Sequence, residues 1–147
     1  MLISVVIPTY KRLPILKKCL DALENQILND KIQNFEIVIV DDGSTDETVD
    51  WLRNNSQSFP HLRVFEQSHG GPALGRNLGV KKSKGDLIVF IDSDLVVDRY
   101  FLSNHVDSLL RAWKKLGNRK CFTYGSVINT SNSVSYTHLT LTTIYSV

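Results

Sequence analysis

Two aspartates, Asp92 and Asp94, follow the continuous apolar run Leu87–Ile91, with only Ser93 between them. The run is typical of a strand buried on both faces, and alternate residues of a strand point to the same side. If the strand continues, the two carboxylates can share a divalent cation, because Mg²⁺ and similar ions are held by one or two carboxylates together with phosphate oxygens. The same residues also suit the turn and cap before a helix, and an isolated Asp-x-Asp motif fits either interpretation.

Polar residues follow two earlier apolar runs in the same way. Thr9-Tyr10 comes just after the run Leu2–Ile7, and Asp41-Asp42 comes just after the run Glu36–Val40. One such cluster is a turn, whereas three clusters at the same edge of one sheet indicate a site. The sequence therefore predicts that these residues converge with the aspartate pair.

Helical patterns alternate with the apolar runs along the chain. Strands are expected at Leu2–Ile7, Glu36–Val40, Leu62–Glu66, Leu87–Ile91 and Cys121–Ile128. Helices are expected at the apolar stripe of Leu16, Cys19, Leu20, Leu23 and Ile27, after Ser44, over Ala73–Ser83 and over Arg99–Leu116. This alternation predicts an α/β domain with a mostly parallel sheet and right-handed crossovers. Ligands of such sheets bind outside the carboxyl ends of the strands, where the strand order reverses.

Three local signals refine the helices and loops. Ser44 and Glu47 have the spacing of a capping box, which predicts a helix that starts at Ser44. Leu74, Leu78 and Lys81 fall on one line of the third helix. His69 precedes a Gly-Gly-Pro turn and has no partner pattern, so we interpret it as a surface-loop histidine.

Composition limits the class of protein. The chain has 147 residues, 42% of them apolar and 22% charged, which is enough for one ordinary globular domain. A net charge of +2 gives no argument for nucleic acid as a partner. The apolar runs are shorter than the roughly 18 residues of a membrane span. Cys19 and Cys121 are interpreted as reduced core residues of a cytoplasmic protein.

Four stretches together resemble the family 2 glycosyltransferases of the GT-A fold, in the order and spacing of that family. They are Ser4–Arg12, Ile37–Asp46, Gly70–Gly79 and Asp86–Asp94. The resemblance covers about residues 2 to 132. It implies a GT-A (Rossmann-like) sheet with helices on both faces, incomplete at the C-terminus. Residues 1–132 are expected to form the nucleotide-sugar-binding part, and residues 133–147, which contain no Asp, Glu, Lys or Arg, a non-native or disordered tail.

The resemblance also implies roles for single residues. Pro8, Thr9 and Tyr10 would line the nucleoside pocket, with Tyr10 stacked near the base. The base imide would donate a hydrogen bond to Asp42, with Asp41 as a second candidate acceptor. The nucleotide-sugar site would be completed by Arg76, Asp92 and Ser93, and the metal, Mn²⁺ or Mg²⁺, would be held by Asp92 and Asp94.

The implied activity is transfer of a sugar from a nucleoside-diphosphate sugar, most simply a UDP-sugar, to an acceptor hydroxyl with inversion. The acceptor would be a glycan, a lipid or a protein. The expected location is the cytoplasm, as the two cysteines indicate, or the inner face of the membrane for the full-length protein. The alternatives are a nucleotidyltransferase of nucleotide-sugar synthesis, disfavoured because the loop Pro8–Arg12 has no glycine, and a non-catalytic nucleotide-binding module.

One part of the family's machinery is not found in the chain. Inverting members use a carboxylate base well downstream of the Asp-x-Asp motif, and Leu95 stands where many members have a further Asp. The base is therefore expected beyond the chain end. The chain as given is expected to bind donor but to be inactive or weakly active.

Overall fold

The computed structural model describes residues 1–125 and, as backbone, residues 136–137. Its main sheet has four parallel strands, in the order β3-β2-β1-β4. The strands are β1 (Leu2–Thr9), β2 (Asn34–Asp41), β3 (Leu62–Glu66) and β4 (Leu87–Phe90). The strand order reverses between β1 and β4, which is where an α/β sheet of this kind offers a ligand crevice. The prediction of a parallel sheet is confirmed.

The register of the central strands aligns the polar clusters at one edge. β1 pairs with β2 along its full length, from Leu2 opposite Asn34 to Thr9 opposite Asp41. Both strands are almost completely buried because helices cover both faces, which explains why their sequences are continuous apolar runs rather than alternating ones. Thr9 and Asp41 therefore lie side by side at the carboxyl edge.

Helices cover both faces of the sheet, as predicted. They are α1 (Leu13–Glu24), α2 (Thr48–Asn54), α3 (Pro72–Lys82) and α4 (Phe101–Leu116). The larger core joins α1, α2 and α4 to the face of β1 that carries Ile3, Val5 and Ile7. The smaller core lies on the other face, where Leu78 of α3 packs against a cluster that includes Val6. Among the described helices, none is long and apolar enough to cross a bilayer.

The third helix approaches the sheet through glycines. Gly75 and Gly79 are its buried residues, whereas Leu74 is 54% exposed. A Cβ atom at Gly79 would lie 2.2 Å from Val6 Cγ1, and one at Gly75 would lie 3.1 Å from Pro8 Cβ. The absence of side chains at Gly75 and Gly79 lets the helix backbone approach β1 directly.

This close approach gives a stability prediction. Gly79→Val should lower the free energy of unfolding by about 1–3 kcal/mol, because Val6 is a stiff β-branched residue in a filled core. Asn77→Val places the same side chain on the exposed face of the same helix and should change stability by less than about 0.5 kcal/mol. Urea unfolding measures both variants, and equal stability of the two would contradict the glycine-mediated packing.

Several element ends differ from the prediction. Helix α1 ends at Glu24, so Ile27 lies beyond it and is 45% exposed, with its amide donating to Arg99 O. A short parallel pair that the sequence did not indicate joins β5 (Val96–Val97) to β6 (Tyr136–Thr137). Residues 121–125 form no strand, and the remainder of the predicted strand Cys121–Ile128 lies outside the described residues.

The domain boundary at residue 132 stays a prediction. Most of the predicted tail, 133–135 and 138–147, lies outside the described residues, and its only described backbone is that of β6.

Candidate functional site

A cleft of about 430 Å³ opens at the carboxyl edge of the sheet, beside β1, β2 and β4. We call it the strand-end cleft. Every predicted site residue except Asp41 lines it. Its lining is Pro8, Thr9, Tyr10, Arg12, Asp42, His69, Gly71, Pro72, Arg76, Asp92, Ser93 and Asp94. The sequence prediction that the three polar clusters converge therefore agrees with the geometry.

The aspartate pair reaches the cleft from a turn rather than from a strand. Strand β4 ends at Phe90, and the amide of Leu95 donates to Asp92 O, 3.2 Å away, which closes a turn over the pair. Of the two interpretations that the sequence left open, the structure shows the turn, so strand alternation does not align the two carboxylates. The turn still presents both of them to the cleft, with side-chain exposures of 58% for Asp92 and 45% for Asp94, while Ser93 between them is buried.

Each of these carboxylates forms an ion pair with an arginine from another element. Arg76, on α3, places Nη2 2.6 Å from Asp92 Oδ1. Arg12, in the loop after β1, places Nη1 in contact with Asp94 Oδ2. Sequence reasoning gave no role to Arg12. Its position directly after the strand-end residues was the available signal.

Asp42 is the most heavily hydrogen-bonded group of the cleft. Its Oδ1 accepts from Gln67 Nε2 at 2.7 Å and from the Gly70 amide at 2.9 Å. Its Oδ2 accepts from the Gly71 amide at 2.9 Å and lies 2.9 Å from His69 Nδ1. Three hydrogen bonds therefore occupy three of the roughly four lone-pair sites of the carboxylate, whereas His69 Nδ1 hydrogen-bonds with the backbone oxygen of Asp42, 3.1 Å away. A base imide that binds Asp42 would share the carboxylate with these donors.

These contacts also fix the charge of Asp42. Burial alone would raise the pKa of the carboxyl group, but the hydrogen bonds from Gln67, Gly70 and Gly71 and the nearby His69 outweigh burial and hold the pKa below its ordinary value. Asp42 is therefore an ionised side chain that fastens the loop of residues 67–71 to the end of β2.

Asp41 lies below the cleft and organises a different loop. Its Oδ1 accepts from the Ser44 amide at 2.8 Å, and its Oδ2 accepts from the Ser44 hydroxyl at 2.5 Å. Ser44 Oγ in turn accepts from the Lys11 amide at 2.9 Å. The predicted capping box was wrong, because Asp41 binds Ser44 in the loop and α2 begins four residues later, at Thr48, without a side-chain cap.

Two aromatic rings form one wall of the cleft. The rings of Tyr10 and His69 lie 4.5 Å apart between centroids, with 35° between their planes. Lys11 Nζ lies 5.0 Å from the centroid of the Tyr10 ring. The interpretation of His69 as a surface-loop residue missed its contact with Tyr10. The neighbouring glycines gave no indication of which side chain the loop contacts. His69 is solvent-accessible and still lines the cleft.

Thr9 adds a polar group at the end of β1. It is 3% exposed, and its Oγ1 has no hydrogen-bond partner within the described part of the chain. Buried hydroxyls are normally paired, so this one is available to a ligand or a water molecule.

The donor set fits a hard divalent cation that is shared with a ligand. No group of three or more His, Cys, Asp or Glu side chains is arranged to hold a metal among residues 1–125. Asp92 and Asp94 provide two exposed carboxylates, and Mg²⁺ typically takes one or two together with phosphate oxygens and water. The charged lining, Asp42, Asp92 and Asp94 against Arg12 and Arg76, leaves one excess negative charge if His69 is neutral.

The strand order, the helices on both faces and the cleft at the strand-order reversal define the fold as GT-A. Two solved structures share it. One is Staphylococcus aureus TarS 1-349 in complex with UDP-GlcNAc, which is 28% identical with a TM-score of 0.66; the match covers 78% of this chain and 32% of that one. The other is the mannosyltransferase PcManGT from Pyrobaculum calidifontis in complex with GDP-Man and Mn²⁺, which is 30% identical with a TM-score of 0.65; the match covers 73% of this chain and 32% of that one.

The chain belongs to Glycosyl transferase family 2, whose sequence pattern matches residues 4–142. A poly(ribitol-phosphate) beta-glucosyltransferase from Bacillus spizizenii is 40% identical over 96 residues, which is 64% of this chain. The match covers 15% of that relative, so the chain spans a small part of the curated proteins it resembles. The family assignment made from the four sequence stretches is confirmed.

Proposed function

We propose that this chain provides the donor site of a glycosyltransferase that moves a sugar, with inversion, from a nucleoside-diphosphate sugar to an acceptor hydroxyl, assisted by Mn²⁺ or Mg²⁺. The observation that carries the proposal is the convergence in one cleft of an aromatic wall, an aspartate pair and two arginines. The nucleotide sugars bound in the two related structures support it.

Each part of the cleft matches one part of such a donor. Tyr10, with Pro8 and Thr9 beside it, offers the surface for the nucleoside, and the buried hydroxyl of Thr9 has no partner among the described residues. Arg76 can bind the diphosphate once its guanidinium group leaves Asp92, because a guanidinium matches the geometry of a phosphate well. Asp42 acts as a positioning residue for the loop that carries His69. The contact of Asp42 or Asp41 with the base stays a prediction.

Charge explains why a cation belongs in this site. The diphosphate of a nucleotide sugar carries two negative charges and the leaving nucleoside diphosphate carries up to about three, whereas the two positive charges of Arg12 and Arg76 are already paired with Asp94 and Asp92. Asp92 and Asp94 would hold a divalent ion, which stabilises the negative charge that develops on the leaving nucleoside diphosphate. The side chains themselves orient the donor and keep its diphosphate at the end of β4.

The remaining features of the proposal concern the partner and the compartment. We propose a UDP-sugar as donor and a glycan, lipid or protein hydroxyl as acceptor. Cys19 and Cys121 are free, and burial together with nearby Asp94 raises the pKa of the Cys19 thiol to about 12. Two free cysteines support a cytoplasmic location, including the inner face of a membrane.

Calorimetry tests the proposal. The 147-residue chain is titrated with UDP, a UDP-sugar and UTP, each with and without Mn²⁺. We expect saturable, Mn²⁺-dependent binding of UDP and of the UDP-sugar. Absence of heat with every nucleoside diphosphate would contradict the proposal. Pyrophosphate release from UTP and a sugar 1-phosphate would instead identify a nucleotidyltransferase.

A further inference from the structure

The arginine of the loop after β1 occupies the carboxylate that a cation would need. Arg12 contacts Asp94 Oδ2, and Arg76 on α3 forms the corresponding ion pair with Asp92. Both carboxylates of the aspartate pair are thus neutralised by the chain itself. A divalent ion at the pair would lie against two guanidinium groups of the same sign, so an ion and the two arginines compete for the same oxygens.

The ion pair of Arg12 is suited to exchange. Its side chain is 55% exposed and that of Asp94 is 45% exposed. Ion pairs with this degree of exposure stabilise a protein only slightly, because water solvates both charges and the side chains lose entropy on pairing. Breaking the pair is therefore easy once another cation binds Asp94.

The backbone at Arg12 is held in place although its side chain is exposed. The preceding residue, Lys11, has a left-handed φ of 51°, which is unfavourable for a residue other than glycine. The Lys11 amide donates to Ser44 Oγ, and Ser44 is held by the buried carboxylate of Asp41. This chain of hydrogen bonds anchors the start of the Arg12 side chain at the rim of the cleft, beside the predicted diphosphate position.

From these contacts we infer that Arg12 is an exchangeable diphosphate-binding residue: it pairs with Asp94 in the empty cleft and moves to a donor phosphate when Asp94 binds a divalent cation. The inference rests on the proposed function and adds to it a specific residue and a coupling. Guanidinium–phosphate hydrogen bonds are charge-assisted and often bidentate, so the arginine gains a stronger partner than the one it leaves. Cation and nucleotide then bind cooperatively, partly through Arg12.

The test compares two affinities in Arg12→Gln. Without nucleotide, Mn²⁺ affinity, measured from the loss of the free-ion electron paramagnetic resonance signal, should rise about two- to fivefold, because Asp94 no longer has a competing cation. With saturating Mn²⁺, calorimetric UDP affinity should fall about tenfold, because a charge-assisted phosphate contact is lost. A purely structural arginine would not change the two affinities in opposite directions.

Arg53→Gln is the matched control. Arg53 forms an exposed ion pair with Glu66 at the end of β3, outside the lining of the cleft. It should leave both affinities unchanged. The exchange is overturned if Arg12→Gln leaves Mn²⁺ affinity unchanged or lowers it, or if UDP affinity is unaffected, while wild type binds both ligands. Failure of the wild type to bind UDP with Mn²⁺ would instead overturn the proposed function together with the exchange.

Discussion

Asp42→Asn is expected to lower the free energy of unfolding by about 1.5–3 kcal/mol and UDP affinity by about tenfold or more. The amide can accept at one oxygen only, and its own NH₂ group faces donors where Asp42 now accepts from Gln67, Gly70 and Gly71. The loop that places His69 beside Tyr10 would lose its attachment to β2. Urea unfolding and calorimetry measure the two losses.

The stability difference between wild type and Asp42→Asn should depend on pH in one direction. The folded pKa of Asp42 is held below its ordinary value, so its contribution is complete above the unfolded pKa and is lost as the pH falls through the folded pKa. The difference should therefore be constant near neutral pH and shrink below about pH 4. Asp50→Asn, at an exposed position on α2, should show neither effect. A difference that grows on acidification would contradict the assignment of Asp42 as an ionised anchor.

Removal of the aspartate pair is expected to give the largest functional effect. Asp94→Asn and Asp92→Asn should each weaken Mn²⁺-dependent UDP binding by about 100-fold, since loss of even an outer-shell partner of a metal ligand typically costs 10- to 100-fold. Stability without ligand should change by less than about 1 kcal/mol, because both side chains are exposed and their arginine pairs are weak. Thermal melts with and without Mn²⁺ and UDP separate the two effects.

Glu66→Gln provides the control for these variants. Glu66 is also an exposed carboxylate at the carboxyl end of a parallel strand and also pairs with an arginine, Arg53, but it does not line the cleft. It should leave ligand-induced stabilisation intact. Equal responses of wild type and Asp94→Asn to Mn²⁺ and UDP would show that Asp94 is not a ligand.

The sheet could be predicted from the sequence because a strand that is buried on both faces has a continuous apolar sequence. Apart from Ser4 and Glu36, the residues of Leu2–Ile7 and Glu36–Val40 are apolar without alternation, as expected for strands between two helical layers, and the structure extends them to Leu2–Thr9 and Asn34–Asp41. The convergence of the cleft residues followed from parallel strand order alone. Side-chain details were not needed for it.

The features that could not be predicted depend on contacts between residues far apart in the chain. Ser44 has the local pattern of a helix cap, yet Asp41 competes for both its amide and its hydroxyl. Leu74 has the periodicity of a core residue, yet the glycine face of α3 packs closer to the sheet. Arg12 and His69 show their roles only when Asp94 and Tyr10 are brought beside them by the fold. Local propensity is overridden by tertiary contacts in each case.

A crystal structure of the chain with UDP and Mn²⁺, with the metal located by anomalous scattering, tests the central claim most directly. We predict the base beside Tyr10, the diphosphate at the end of β4, the Mn²⁺ peak between Asp92 and Asp94, and Arg12 turned from Asp94 to a phosphate. Nucleotide bound outside the strand-end cleft, or a metal peak away from both aspartates, would contradict the account.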